Sequence, residues 1–171
     1  MNLDEIKLRT GTPYPEIVDA KACAKCVAVL KNLIAERGGE LNSVLQFIYQ
    51  STVADSSDAD LGELFEEIAI TDMEHVGLLM HAIVDFGGDP KYETSNGVAF
   101  NANCVRYLTK LKDMLEYNIA LIEQAKENYN TATQMVSNVS LKQLLTRIAE
   151  DKQKQLEALT YIKNTVKFLS V

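Results

Sequence analysis

The stretch Glu66-Glu67-Ile68-Ala69-Ile70-Thr71-Asp72-Met73-Glu74-His75-Val76-Gly77-Leu78-Leu79 has the rhythm of the middle of a long helix. Around it, Leu61, Phe65, Ile68, Asp72, His75, Leu79, Ala82 and Phe86 follow one another at alternating steps of four and three. Such steps draw one continuous seam on a helix packed in a bundle. Six of these eight residues are apolar, so Asp72 and His75 carry a carboxylate and an imidazole into an otherwise greasy interior. Burying such groups is costly unless they are paired or bind a metal. An acid followed three residues later by an inward His is also how carboxylate-bridged metal bundles present their ligands.

The same periodicity extends outward in both directions. Upstream, a helix over about 16–54 carries Cys23, Cys26, Leu30, Leu33, Arg37, Glu40, Val44, Phe47 and Ser51 on its seam. Gly38-Gly39 interrupts it, and at about 1 kcal/mol each against Ala the pair predicts a kink. Asp55 to Asp58 makes the turn, with Asp58 as N-cap of the second helix, about 59–86. Gly87-Gly88-Asp89-Pro90 ends that helix, and residues 87–102 read as one long crossover. A third helix over about 103–136 bears Cys104, Leu108, Leu115, Asn118, Ile122, Ala125 and Tyr129 on its seam. A fourth, about 140–169, bears Leu145, Ile148, Lys152, Gln155, Leu159, Ile162 and Leu169, with Ser140 as cap. Residues 1–15 read as an extended lead, because Pro13 and Pro15 forbid helix there, with Tyr14 pinning it to the bundle. The expectation is an all-α, four-helix bundle over 16–171 with a kinked first helix.

Composition narrows the function. The net charge of -7 argues against a general affinity for nucleic acid or anionic membrane. No apolar run reaches the roughly 20 residues that span a bilayer, and the mixed polar start Met1 to Arg9 reads as no signal peptide. Three cysteines in such a chain imply reduced thiols in the cytoplasm. Cys23 and Cys26 form a C-x-x-C, a spacing used for metal or redox work. Both lie on the helical seam, so the reading is core packing, and Cys104 is read likewise. His81 falls off the seam and reads as a surface residue.

The two helix pairs look like a repeat. Glu40 is followed at 32 residues by Asp72 and then His75; Ile122 is followed at 30 residues by Lys152 and then Gln155. Together with Pro13-Tyr14-Pro15-Glu16-Ile17, Gly39-Glu40-Leu41, Gln46-Phe47-Ile48-Tyr49, Gly87-Gly88-Asp89-Pro90, Glu127-Asn128-Tyr129 and Arg147-Ile148-Ala149-Glu150-Asp151, these segments give the chain its resemblance. It resembles the ferritin-like superfamily, and especially the bacterial rubrerythrin and manganese-catalase-like branch without a rubredoxin domain.

That resemblance implies six ligands for two metal ions: one Glu from each of two helices, and a Glu-x-x-His from each of the others. Glu40 matches the first Glu, Asp72 stands where Glu is expected, and His75 matches. Ile122 stands at the third-helix Glu position, and Lys152 and Gln155 take the places of the last Glu and His. A register slip would promote Glu123 into the vacant place at the expense of exposing Ala125 and Tyr129.

Three readings follow. In the first, Lys152 is an internal cation closing a metal-free polar cluster with Glu40, Asp72, His75 and Gln155, Tyr129 hydrogen-bonds to it, and the protein is a non-catalytic structural or interaction protein. In the second, Glu40, Asp72 and His75 hold one Fe, Mn or Zn ion, and the protein is an oxidoreductase detoxifying peroxide under oxidative stress. The third is an intact two-metal enzyme. A homodimer is the expected assembly.

Overall fold

The kink expected at Gly38-Gly39 is a complete break in the computed structural model, which describes residues 6–166. The first helical position is shared by α1 (Ala24–Ala35) and α2 (Glu40–Asp55). Three long helices follow: α3 (Ala59–Asp85), α4 (Leu111–Met135) and α5 (Val139–Val166). Gly38 has φ +84°, the left-handed region that favours glycine. Gly39 is extended, and a Cβ there would lie 2.7 Å from the Leu33 carbonyl oxygen and 2.9 Å from those of Ile34 and Glu36. The reversal thus depends on both glycines: one for its dihedral, the other because backbone fills the space of a side chain.

Other boundaries also move. The first helix starts at Ala24, not near Glu16, because the chain before it finds its backbone partners elsewhere. The Val18 N–H donates to Ser140 Oγ at 3.0 Å and the Cys23 N–H to the Phe86 carbonyl at 3.1 Å. Asp19, with φ 53°, turns the chain between them. Asp58 caps α3 as expected, accepting from the Leu61 N–H at 3.1 Å. At α5 the cap is Asn138, whose Oδ1 accepts from the Leu141 N–H at 2.8 Å, leaving Ser140 to hold the lead. The third helix begins at Leu111 rather than near Asn103. Buried Gln46 explains this: its Oε1 accepts from the Arg106 N–H at 2.7 Å and its Nε2 donates to the Arg106 carbonyl at 2.8 Å. Both backbone groups of Arg106 are satisfied without a helix, so 105–110 stays non-helical. The lead before Ile6 and the expected end of the last helix at Leu169 lie outside the described residues.

The result is a ferritin-like four-helix bundle. α2 packs along α3, α4 along α5, and α1 leans on α3 and α4. Residues 86–110 form the long crossover, with a single bridge between Glu93 and Ala99 and a short 3-10 turn at Ala102–Cys104. Two apolar clusters fill the bundle. One contains Leu30, Leu33, Leu79, Ile83, Leu145 and Ile148; the other contains Phe47, Phe65, Ile68, Leu115, Ile122 and Leu159. Between them sits a buried polar layer supplied by α2, α3, α4 and α5. Among the described residues no helix is long and apolar enough to cross a membrane.

Gly39, the N-cap of α2, and Gly77, within α3, should respond oppositely to the same substitution. Gly39→Ala should destabilise by about 1–3 kcal/mol, because carbonyl oxygens cannot retreat as flexible side chains do. Gly77→Ala, in α3 with nothing within 4 Å of the added carbon, should stabilise by about 0.5–1 kcal/mol. Urea denaturation of the two variants measures both signs.

Candidate functional site

The helix break has a direct electrostatic consequence. It makes Glu40 the first residue of α2, where unpaired N–H groups and the helix dipole favour a carboxylate. Four and seven residues before Leu79, His75 and Asp72 face the same layer from α3, and Lys152 and Gln155 enter it from α5. Lys152 is fully buried, and its Nζ lies 2.9 Å from Glu40 Oε2 and 2.6 Å from Asp72 Oδ1. Gln155 Nε2 donates to Asp72 Oδ1 at 2.9 Å, and Ser43 Oγ donates to Asp72 Oδ2 at 2.5 Å. From α4, the Tyr129 hydroxyl donates to Glu40 Oε1 at 2.6 Å. Every oxygen of these two carboxylates therefore accepts at least one bond, as a buried charge requires. Ile122 is fully buried in the neighbouring apolar cluster and offers only hydrocarbon; Glu123 is exposed, so α4 keeps the register of its seam.

A second carboxylate shell lies behind His75. His75 Nε2 is 3.2 Å from Asp151 Oδ2, and the Tyr14 hydroxyl donates to the same oxygen at 2.7 Å. Asp151 Oδ1 accepts from the Thr10 N–H at 2.8 Å and from Arg147 Nη1. Arg147 then donates through Nε to the Thr12 carbonyl at 2.8 Å and through Nη2 to that of Thr10 at 3.0 Å, with its guanidinium 4.5 Å from the centre of the Tyr14 ring. The lead is thus fastened across the polar layer. Sequence reasoning gave Tyr14 only a pinning role and assigned nothing to Asp151, Arg147 or Ser43. The available signals were the four-residue step from Arg147 to Asp151 on one face of α5 and the three-residue step from Glu40 to Ser43 on α2. His81 is exposed.

Charge in the layer is balanced: Glu40, Asp72 and Asp151 face Lys152, Arg147 and protonated His75. Burial alone would raise the Asp72 carboxyl, but the Lys152 ammonium and His75 outweigh it and hold it well below the usual carboxylate range. Burial would likewise lower His75; the hydrogen bond to Asp151 and the nearby Asp72 and Glu40 carboxylates push it up to about 10 instead. Lys152 is raised because Asp72 and Glu40 overcome the cost of its burial. The remaining nitrogen of the imidazole, His75 Nδ1, lies 3.5 Å from Asp72 Oδ1 and 3.6 Å from Glu40 Oε1 and finds no hydrogen-bond partner among the described residues. Glu40, Asp72 and His75 each offer one ligand atom, and these lie within 4.8 Å of one another.

The cysteines depart from expectation. Cys23 and Cys26 are not free thiols on a seam but are joined in a disulfide. The reason is local: α1 starts only at Ala24, so Cys23 is its N-cap in an extended conformation, and the Cα atoms of the pair come 5.3 Å apart, within disulfide reach. Cys104 lies in the 3-10 turn of the crossover and is half-buried rather than part of the core.

Two measurements probe this layer. Lys152→Met leaves two buried carboxylates without their cation and should cost about 3–5 kcal/mol in urea unfolding; a loss under about 1 kcal/mol would show that the ammonium is not their counter-ion. The pH profile follows from the shifts. The raised His75 contributes stability that is complete below ~6.5 and is lost as pH rises towards about 10. The depressed Asp72 contributes stability that is complete above ~3.9 and is lost as pH falls below it. Chelator-treated protein should therefore lose up to about 1.4 kcal/mol per pH unit between pH 7 and 9, and His75→Gln should abolish that slope. An equal slope in the variant would refute the assignment to His75.

Comparison with known proteins agrees with this architecture. A family model described as rubrerythrin matches residues 31–160. No curated protein matches the sequence. Among solved structures, the manganese catalase KatB from Anabaena superposes with a TM-score of 0.82 at 18% identity, covering 93% of this chain and 80% of that one. The Desulfovibrio desulfuricans bacterioferritin, described with a diiron site, gives 0.72 at 23% identity, covering 85% and 82%. The Rhodobacter capsulatus bacterioferritin, described with a metal-free dinuclear site, gives 0.70 at 18% identity, covering 88% and 90%. At these identities the likeness speaks for the fold, and the matched span, well over half of the sequence, places the chain in the rubrerythrin family.

Proposed function

We propose that this chain is a ferritin-like bundle in which an internal ammonium stands in place of a two-metal centre, and that it works as a non-catalytic structural or interaction protein. The observation that carries the reading is Lys152 Nζ at 2.9 Å from Glu40 Oε2 and 2.6 Å from Asp72 Oδ1. Two divalent ions bring four positive charges and need about four carboxylates to neutralise and bridge them. Glu40 and Asp72 supply two, and both are already engaged by the ammonium. Asp151 is held by Arg147, Tyr14 and His75. The remaining ligand places hold a hydrocarbon, an ammonium and an amide at Ile122, Lys152 and Gln155. This donor set does not fit a two-metal centre, and a fixed cation in the middle of it repels any metal that approaches.

A second reading has its own support. The Glu40, Asp72 and His75 ligand atoms converge within 4.8 Å, and the unpartnered His75 Nδ1 faces both carboxylates. Two carboxylates and one imidazole suit a single Fe, Mn or Zn ion. The likeness to a manganese catalase and to a diiron bacterioferritin would then extend to metal-dependent redox chemistry on peroxide, provided that Lys152 gives way.

Metal analysis of protein purified without chelator separates the two. The first reading expects no stoichiometric iron, manganese or zinc and no peroxide turnover. One bound ion per chain, bound more tightly in Lys152→Met, would favour the second. Two ions per chain with peroxide turnover would refute both. The combined variant Ile122→Glu, Lys152→Glu and Gln155→His restores the six-ligand pattern and is expected to acquire two iron or manganese ions that the native chain does not hold.

A further inference from the structure

The Cys23–Cys26 disulfide lies outside the polar layer, and neither reading of the layer uses it. We propose that it is a reversible dithiol–disulfide site that exchanges with an anionic low-molecular-weight thiol, with Cys23 as the sulfur attacked.

Three observations support this. The bridge closes a ring with only Ala24 and Lys25 between the cysteines. So short a loop removes little freedom from the unfolded chain, which makes a structural staple a weak reason for it. The two sulfurs are also unequal. Cys26 is 4% exposed and packs in the apolar cluster that includes Val29, Leu30 and Phe86. Cys23 is only half-buried and, with Cys26, lines a surface hollow of about 330 Å³ that also includes Asp19, Lys21, Lys25 and Phe86. That volume is at the lower end of ligand pockets, roughly 300 Å³, and its two ammonium groups against one carboxylate suit a thiol of net negative charge. Finally, Cys23 is the N-cap of α1, its Sγ accepts from the Cys26 N–H at 3.1 Å, and the first turn holds Lys25 and no acid. A thiolate released at Cys23 would face helix N–H groups and a positive charge, the setting that lowers a cysteine pKa.

The exchange balances without a metal. A donor thiolate attacks Cys23 Sγ, the Cys23–Cys26 bond breaks, and Cys26 leaves as a thiolate and takes up a proton. A second donor thiol then displaces Cys23 from the mixed disulfide. Two donor thiols become one donor disulfide while two electrons and two protons pass to the protein. The Cys23 N–H holds the Phe86 carbonyl at 3.1 Å independently of the sulfur, so the backbone keeps its place when the bridge opens.

The test uses the full-length Cys104→Ser chain, which leaves only the pair. Folded protein is equilibrated with reduced and oxidised glutathione in varied ratio, acid-quenched, alkylated and weighed by mass spectrometry. The dithiol fraction should move smoothly from none to all with unchanged circular dichroism. Adding Cys26→Ser, or Cys26→Ala if the serine variant does not fold, should trap one glutathione on Cys23; Cys23→Ser should trap about tenfold less on Cys26. In the Cys26 variant, alkylation of Cys23 should be half-maximal below the ~8.5 of a free thiol. A bridge that opens only on denaturation, a pair that stays reduced in excess oxidised glutathione, equal trapping at both sulfurs, a Cys23 midpoint at or above ~8.5, or stoichiometric zinc on the pair would each overturn the proposal. None of these outcomes depends on the state of the polar layer.

Discussion

One buried ammonium sets the terms for the rest of the bundle. Lys152 reaches from α5 to a carboxylate on α2 and another on α3. Two unit charges 4 Å apart attract by about 4 kcal/mol at an effective dielectric near 20, but removing each ion from water costs several kcal/mol. Such a cluster persists only when the remaining lone pairs are also satisfied. Ser43, Gln155 and Tyr129 do this, one from each of α2, α5 and α4. The polar layer therefore joins the α2–α3 pair to the α4–α5 pair at the height where apolar packing is interrupted. That joint fixes the register of one pair against the other more sharply than exchangeable leucines could, since a slip of one residue would strand a buried charge.

The outer half of the layer depends on chain that is not helical. Asp151 would be a third buried carboxylate beside Glu40 and Asp72, and His75 and Arg147 balance it. The guanidinium is held in place by the Thr10 and Thr12 carbonyls and by the Tyr14 ring, all from the lead. The lead thus closes the layer against water. Leu8 packs in the apolar cluster around Phe47, while Tyr14 and Ile17 pack against the one around Leu30, so the lead bridges both halves of the core. The two prolines that forbid helix there keep its backbone groups free to serve Arg147 and Asp151.

Glu40 shows how local conformation and charge support each other. Had the first helix run through Gly38-Gly39, this carboxylate would have sat mid-helix, where the dipole gives it nothing. The break places it at a helix start. The same logic applies at the other end of α1, where the late helix start at Ala24 makes Cys23 a cap and brings it within reach of Cys26.

The alternation of fours and threes through Asp72 and His75 determined that this chain forms a bundle and that these two side chains enter its interior, and Lys152 at the matching height of the last helix could be read in the same way; the same seam failed where helix stops, at exposed Arg37 and at half-buried Cys23, Cys104 and Leu108. Periodicity achieves this because burial on a helix is a one-dimensional property of the sequence. What it could not supply were the partners of those side chains and the points where helix stops. The start of α4 at Leu111 was decided by Gln46, which takes both backbone groups of Arg106, 60 residues further along the chain. The start of α1 was decided by Ser140 and Phe86, and the protonation of His75 by Asp151 on another helix. Each of these is a hydrogen bond between residues distant in sequence, and only the tertiary structure brings such pairs together.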